Sequence, residues 1–138
     1  MKNLIFYFLP IAILLACNTP QKAQQPVSKN AAPFVEWDKK SIALGSVKKG
    51  ETREMFFEFT NTSGEPIQID IVDACECTTT DFPRGVLAPG QKGRIDATFD
   101  SKEKDASETI EIRVIFKNSE PNGMPKFEVL QYTFELVK

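Results

Sequence analysis

The sequence predicts an all-β protein whose main domain is an immunoglobulin-like β-sandwich of about seven strands. Three observations support this fold class. Apolar and polar residues alternate in several short segments after residue 50, and turn-forming residues separate the segments roughly every 8–12 residues. No segment has a helical period of apolar residues. The chain has 138 residues, a length that favours a single domain.

The first clear strand contains Met55, Phe57 and Phe59 on one face. It ends at residues 61–66, where the sequence Asn-Thr-Ser-Gly-Glu-Pro is typical of a turn. The next strand has isoleucine at every second position from 67 to 71. Upstream, the apolar residues between 34 and 47 predict one or two edge strands.

Two further strands follow a loop, one with apolar residues at positions 95, 97 and 99, the other with apolar residues at even positions from 110 to 116. Together the alternating segments predict a buried set of residues: Phe57, Phe59, Ile69, Ile95, Phe99, Ile112, Val114 and Phe134. They also predict an exposed set: Glu54, Glu58, Asp70, Glu111 and Arg113.

The last strand changes phase. Phe127 and Val129 occupy odd positions, whereas Tyr132 and the apolar residues after it occupy even positions. A β-bulge near residues 130 and 131 would turn both sets toward the core, and we expect one there.

The N-terminus has the layout of a signal peptide over residues 1–16, with one lysine followed by a 13-residue apolar run. A membrane-spanning helix needs about 20 such residues. The run ends in Leu-Leu-Ala before Cys17, which resembles the bacterial lipoprotein box, where a peptidase cuts before a cysteine that carries diacylglycerol. We therefore expect a lipid on Cys17 that binds the membrane. The alternative is a plain signal peptide whose cleavage site happens to precede a cysteine.

Residues 17–32 contain one valine and no aromatic residue, so they predict a lipid-anchored flexible tether with a span of about 20 Å. No aspartate follows Cys17 directly, and no acidic run follows it either. These features resemble lipoproteins of the outer membrane that face the periplasm, which is the expected location in the cell envelope. Residues 33–138 then form the sandwich domain.

Four ordered motifs resemble a known family. Residues 43–51 (ALGSVKKGE) and 57–66 (FEFTNTSGEP) resemble an opening strand and turn that two groups of immunoglobulin-like domains share. Residues 74–78 (ACECT) resemble the S-C-G-C-T signature, and residues 87–93 (LAPGQKG) resemble the I-x-P-G-E-x-G segment, of the bacterial domain of unknown function 1573. This family is related to the hydin and major sperm protein type of domain. The resemblance implies an immunoglobulin-like fold in an envelope lipoprotein, and it implies no activity. Ala74 and Glu76 replace the serine and glycine of the signature.

Composition excludes several functions. The chain has no histidine, which excludes a Ser-His-Asp triad, a Cys-His nucleophile and a His-ligated metal. Its net charge of −2 argues against nucleic acid as a partner. We expect no enzyme activity and no cofactor.

Cys75 and Cys77 are the one pair that could carry chemistry if Cys17 is lipidated. A disulfide between them needs a tight turn, and the bond could be a local staple or a site of thiol exchange. Two free thiolates could instead hold a soft ion such as Cu(I), or the cysteines could be small buried apolar residues. The nearby carboxylates of Asp73, Glu76 and Asp81 disfavour a reactive thiolate.

Three classes of function follow from these observations. The first is a non-catalytic binding or scaffold domain whose partner is another envelope protein or a glycan. The second is a lipoprotein that handles thiol redox chemistry or copper through Cys75 and Cys77. The third is a carbohydrate-binding or adhesive accessory lipoprotein, which would expose Trp37, Phe82 and Tyr132 in one patch.

Overall fold

The computed structural model describes residues 33–138, so the predicted signal peptide and tether at residues 1–32, with Cys17, lie outside the described residues. The described part forms eight strands and no helix: β1 (Val35–Trp37), β2 (Ser41–Lys48), β3 (Thr52–Asn61), β4 (Ile69–Asp73), β5 (Thr78–Asp81), β6 (Lys92–Asp100), β7 (Glu108–Ser119) and β8 (Pro125–Val137). Over this range there is accordingly no helix long and apolar enough to span a bilayer.

The strands form two four-stranded sheets. The first sheet has the order β1-β3-β6-β5 and the second has the order β2-β8-β7-β4. All neighbours are antiparallel except β2 and β8, which run parallel. The prediction of an all-β sandwich is confirmed. One or two edge strands were expected between residues 34 and 47, and the structure has two, β1 and β2, one at the edge of each sheet.

The core lies between the two sheets and is rich in aromatic rings. Every residue of the predicted buried set is buried. Phe99 contacts Tyr132 and Phe134 across the sheets, with ring centroids 5.3 and 4.5 Å apart respectively. Of the predicted exposed set, all are exposed except Glu58, which is half-buried because it shares a surface hollow with Phe82 and the β6 residues beside it.

Gly93 is the one glycine in the first sheet whose small size the core requires. It pairs with Phe59 across β3 and β6. A Cβ atom at this position would overlap Cζ of the Phe59 ring. The ring therefore lies over the glycine, where no other residue leaves room for it.

The predicted bulge near Leu130 and Gln131 is wrong. The β7–β8 ladder is continuous from Glu108↔Phe134 to Ile115↔Phe127, and its irregularity lies farther on, at the hairpin end between Ile115 and Ser119. Since the strand keeps its phase, Phe127 and Val129 point away from the core and are 62% and 37% exposed.

Polar residues take the inward positions that a bulge would have given to Phe127 and Val129. Lys126 lies at the sandwich margin, with its Nζ 4.8 Å from the ring centroid of Phe34 and 3.0 Å from Glu120. Glu128 forms an ion pair with Lys40. Both charged groups remain partly solvated, so these inward positions need no apolar side chain.

Removing a core side chain of β3 should lower the free energy of unfolding far more than removing a side chain from the outer face of the same strand. We expect Phe57→Ala to lower the free energy of unfolding by about 3–5 kcal/mol, since Phe57 is fully buried. The control is Phe56→Ala, which removes a 38% exposed ring. That ring contacts the cationic groups of Lys39 and Arg94, so we expect a loss of about 1 kcal/mol. Urea denaturation measures both, and equal losses would contradict the alternation of β3.

Candidate functional site

The loop between β4 and β5 carries Cys75 and Cys77, which the structure joins in a disulfide with the Cα atoms 5.2 Å apart. The amide of Thr78 donates to the carbonyl of Cys75 at 2.9 Å and closes the turn. The amide of Asp100 donates to the carbonyl of Cys77, also at 2.9 Å. Within residues 33–138 every residue with positive φ is a glycine, so the turn forms with Glu76 in place of the signature glycine.

A buried pair of hydroxyl groups lies beneath the disulfide. Thr78 is the first residue of β5 and Tyr132 belongs to β8 in the opposite sheet. Their oxygens are 2.6 Å apart, and both residues are buried. Thr78 Oγ1 is 3.3 Å from Cys75 Sγ and 3.7 Å from Cys77 Sγ, while the Tyr132 hydroxyl is 4.0 Å from Cys77 Sγ. The loop is therefore connected to the core through two hydroxyls.

Tyr132 keeps its proton in this position. Burial of the phenol raises the pKa of Tyr132 above its usual value of 10.0, an effect that the hydrogen bond with Thr78 partly opposes and that the charge of Glu108 increases. The group is consequently a hydroxyl donor throughout the physiological pH range.

The outer side of the loop borders a charged hollow of about 340 Å³. Cys77 lines it together with Glu76, Asp100, Lys102 and Glu103. Three of these side chains are acidic and one is basic. The acidic surroundings predicted from the sequence are present, but two of their members are Asp100, the last residue of β6, and Glu103, in the loop after it.

The other two carboxylates predicted near the cysteines lie elsewhere. Asp81 lines a separate hollow with Phe82 and Arg94. Asp73 stands opposite Arg113 in the β4–β7 ladder.

The described residues give little support to a metal centre. Among residues 33–138, no group of three or more cysteine or acidic side chains is placed to hold a metal ion. Copper binding by the cysteine pair would first require reduction of the disulfide, because only thiolates are soft-metal ligands.

A second candidate site is an apolar row on the outer face of the second sheet. Ile71, Ile115 and Phe127 are neighbours across β4, β7 and β8. Ile71 is 51% and Phe127 is 62% exposed. Val129 lies two residues farther along β8, opposite Arg113. We call Ile71, Ile115, Phe127 and Val129 the outer apolar row.

The aromatic patch that a carbohydrate-binding protein would need is not formed by the residues that the sequence suggested. Tyr132 is fully buried. Trp37 is half-buried and contacts Phe59, with ring centroids 4.8 Å apart. Phe82 is half-buried under the guanidinium of Arg84, 3.9 Å from its ring centroid. Each ring has a structural role.

These features define an immunoglobulin-like domain with a disulfide loop at one end and an apolar row on one face. The chain belongs to the family described as protein of unknown function DUF1573, whose model matches residues 35–129. The resemblance predicted from the four motifs is thus confirmed. A comparison with curated proteins gives no match.

Several solved structures share the fold. The PapD-like domain 7 of human CEP192, an ASH domain, has a TM-score of 0.60 at 14% identity, over 87% of this chain and 96% of that one. A protein of unknown function from Porphyromonas gingivalis W83 has a TM-score of 0.60 at 19% identity, over 75% of this chain and 46% of that one.

The Vibrio cholerae VesB protease has a TM-score of 0.59 at 15% identity, over 74% of this chain. The matched region spans about a third (32%) of the protease chain. At these identities the similarity shows the fold alone.

Removing the disulfide should leave the fold intact. We expect the double variant Cys75→Ser, Cys77→Ser to lower the free energy of unfolding by about 1 kcal/mol or less, because a bond that closes so short a loop restricts the unfolded chain very little. Urea denaturation together with far-UV circular dichroism measures the effect. Loss of the cooperative transition would show that the loop is instead a necessary staple.

Proposed function

We propose that this protein is a cell-envelope lipoprotein, anchored by lipid at Cys17 in the outer membrane and facing the periplasm, whose domain binds another envelope protein without catalysis. The outer apolar row is the observation that carries the binding role.

The lipid anchor is supported by the order of the N-terminal segments. A short apolar run, a small residue before Cys17 and a polar tether of residues 18–32 follow one another. Two or three acyl chains on one cysteine would hold a protein of this size stably, since each buried CH₂ contributes about 0.8 kcal/mol.

A role without catalysis is supported by the chemistry of the side chains. The chain lacks histidine, so the general base that activates most serine and cysteine nucleophiles is missing. The similar protease matches this chain over 32% of its own length, and its activity is not carried over by a shared fold.

The shape and chemistry of the row favour a protein partner. Exposed apolar groups that form a contiguous patch with polar residues at its margin are typical of protein interfaces. Here Arg113 and Asp73 stand next to each other beside the row and can supply polar contacts at its rim. Most side chains of the outer apolar row are aliphatic, and only Phe127 is aromatic. A platform for glycans needs several exposed aromatic rings.

The anchor is tested by the intact mass of the protein extracted from membranes with detergent. We expect a chain that begins at Cys17 and carries diacylglycerol, and a Cys17→Ser variant that lacks this mass and leaves the membrane fraction. A wild-type chain that begins at Asn18 or later, or that has no acyl mass, would contradict the anchor and leave the binding role standing.

The binding role is tested by site-specific photo-crosslinking in cells. A photo-reactive amino acid at position 115 should give one reproducible adduct with an envelope protein, and Ile71→Asp or Phe127→Asp should lower its yield about tenfold or more. The matched control has the photo-reactive group at Val137, which is 37% exposed on the same face of β8 and roughly 33 Å from Phe127.

Equal labelling from both positions, or none from position 115, would contradict the proposal. An adduct between two copies of this chain would also contradict the proposal that the partner is a different protein. Sedimentation of the wild type and of Phe127→Asp would then show whether the row forms a dimer interface.

A further inference from the structure

We propose that the Cys75–Cys77 disulfide is a thiol–disulfide exchange site, in which a dithiol reductant attacks Cys77 and Cys75 leaves as a thiolate stabilised by the hydroxyls of Thr78 and Tyr132. This inference rests on the geometry beneath the loop and does not depend on the lipid anchor or on the outer apolar row.

The hydrogen bonds of the two hydroxyls are limited by the number of their protons. Thr78 and Tyr132 have one hydroxyl proton each, and the 2.6 Å contact between their oxygens uses one of them. The phenol is the more acidic group, so it donates to Thr78, and the Thr78 proton is left to point at a sulfur. Its nearest sulfur is Cys75 Sγ at 3.3 Å. A chain of two hydroxyls therefore ends on Cys75.

The contact between Thr78 Oγ1 and Cys75 Sγ differs in strength between the two redox states. A disulfide sulfur is a weak acceptor, while a thiolate is charged and accepts a much stronger hydrogen bond. The Tyr132 phenol polarises the Thr78 hydroxyl, which increases the effect inside the core. The hydrogen bond from Thr78 is thus stronger when Cys75 is a thiolate, and both hydroxyls are in position before reduction occurs.

The two sulfurs are not equivalent targets for an attacking thiolate. Cys77 lines the surface hollow and Cys75 is not among its lining residues, so we expect a thiolate from solvent to reach the sulfur of Cys77 first. Thr78 Oγ1 lies nearer Cys75 Sγ than Cys77 Sγ, at 3.3 against 3.7 Å. Since the better-stabilised thiolate leaves faster, exchange should begin at Cys77 and release Cys75.

Reduction of the disulfide takes two exchange steps. The thiolate of the dithiol forms a bond to Cys77 Sγ, and the bond between Cys77 and Cys75 breaks, with its electron pair moving to Cys75. The second thiol of the reductant, as its thiolate, then attacks the reductant sulfur that is bonded to Cys77, and Cys77 leaves as a thiolate. The dithiol is oxidised to a disulfide, both cysteines are reduced, and the two protons that the dithiol loses balance those that the cysteines take up.

The hollow also selects the charge of the reductant. Glu76, Asp100 and Glu103 outnumber Lys102 around Cys77, and all four are exposed. A neutral or cationic thiol should therefore react faster than an anionic one at low ionic strength, and added salt should reduce the difference.

The site of attack is tested on the full chain in detergent with 2-mercaptoethanol as the probe. The mixture is quenched with acid, free thiols are alkylated and the protein is digested with trypsin. Cleavage after Arg53 and Arg84 gives one peptide with both cysteines, and fragmentation between them locates each label. We expect the mixed disulfide on Cys77 and the alkyl group on Cys75. The reverse assignment, or equal amounts, would overturn the proposal.

The role of the hydroxyls is tested by the rate of reduction with dithiothreitol. Tyr132→Phe and Thr78→Val should each slow reduction about tenfold, whereas Thr78→Ser, which keeps the hydroxyl, should react at nearly the wild-type rate. Thr80→Val on the same strand is the matched control and should change the rate less than twofold.

A further measurement separates thiolate stabilisation from a purely structural role. In the reduced protein, the pH dependence of Cys75 alkylation gives the pKa of that thiol, and Tyr132→Phe should raise it by about one unit, which is a tenfold change in the equilibrium. If Tyr132→Phe does not fold, the comparison of Thr78→Val with Thr78→Ser gives the same information. Unchanged rates and an unchanged pKa in the folded hydroxyl variants would overturn the proposal.

Discussion

A phenol buried between two sheets needs a hydrogen-bond partner, and this requirement links the core of the protein to its cysteine loop. Tyr132 is fully buried, and its hydroxyl is 2.6 Å from that of Thr78. An unsatisfied buried hydroxyl would cost about 1–3 kcal/mol. The position of Thr78 fixes the start of β5 and the turn before it, so Cys75 and Cys77 are held above the two hydroxyls.

The two sheets differ in how their outer faces are covered. On the first sheet, Phe56 is the exposed aromatic ring, and the cationic groups of Lys39 and Arg94 contact it at 5.3 and 4.1 Å from the centroid. On the second sheet, the outer apolar row has no comparable cover among the described residues. This asymmetry makes the second sheet the better candidate for binding a protein partner, because burial of its side chains would remove apolar surface from water.

A similar fold occurs in the PapD-like domain of human CEP192 and in part of a bacterial protease, at 14 and 15% identity. Such a fold defines a core and leaves function to surface groups. In this chain the cysteine loop and the outer apolar row are the two surface features that a sandwich with an entirely polar surface would lack. They lie on different elements, so binding and thiol exchange can be tested separately.

The sequence by itself determined which side chains share a face within a strand, because successive side chains of a strand point to opposite faces. This alternation was enough to predict the buried set from Phe57 to Phe134. The four motifs between residues 43 and 93 were enough to predict the family, since each is read from residues close together in the chain. The tertiary structure alone decided the partners of each strand. β5 has the sequence Thr-Thr-Thr-Asp, without apolar alternation, and it is a strand only because it pairs with β6.

The phase of β8 was decided in the same way. Phe127 and Val129 point outward because the ladder with β7 is continuous, which the odd and even positions of apolar residues did not predict. Thr78 and Tyr132 are 54 residues apart in the chain, and the hydrogen bond between them exists only when two sheets pack together. Alternation along one strand is a local consequence of strand geometry, whereas the phase of β8, strand pairing and contacts across the core depend on residues distant in sequence.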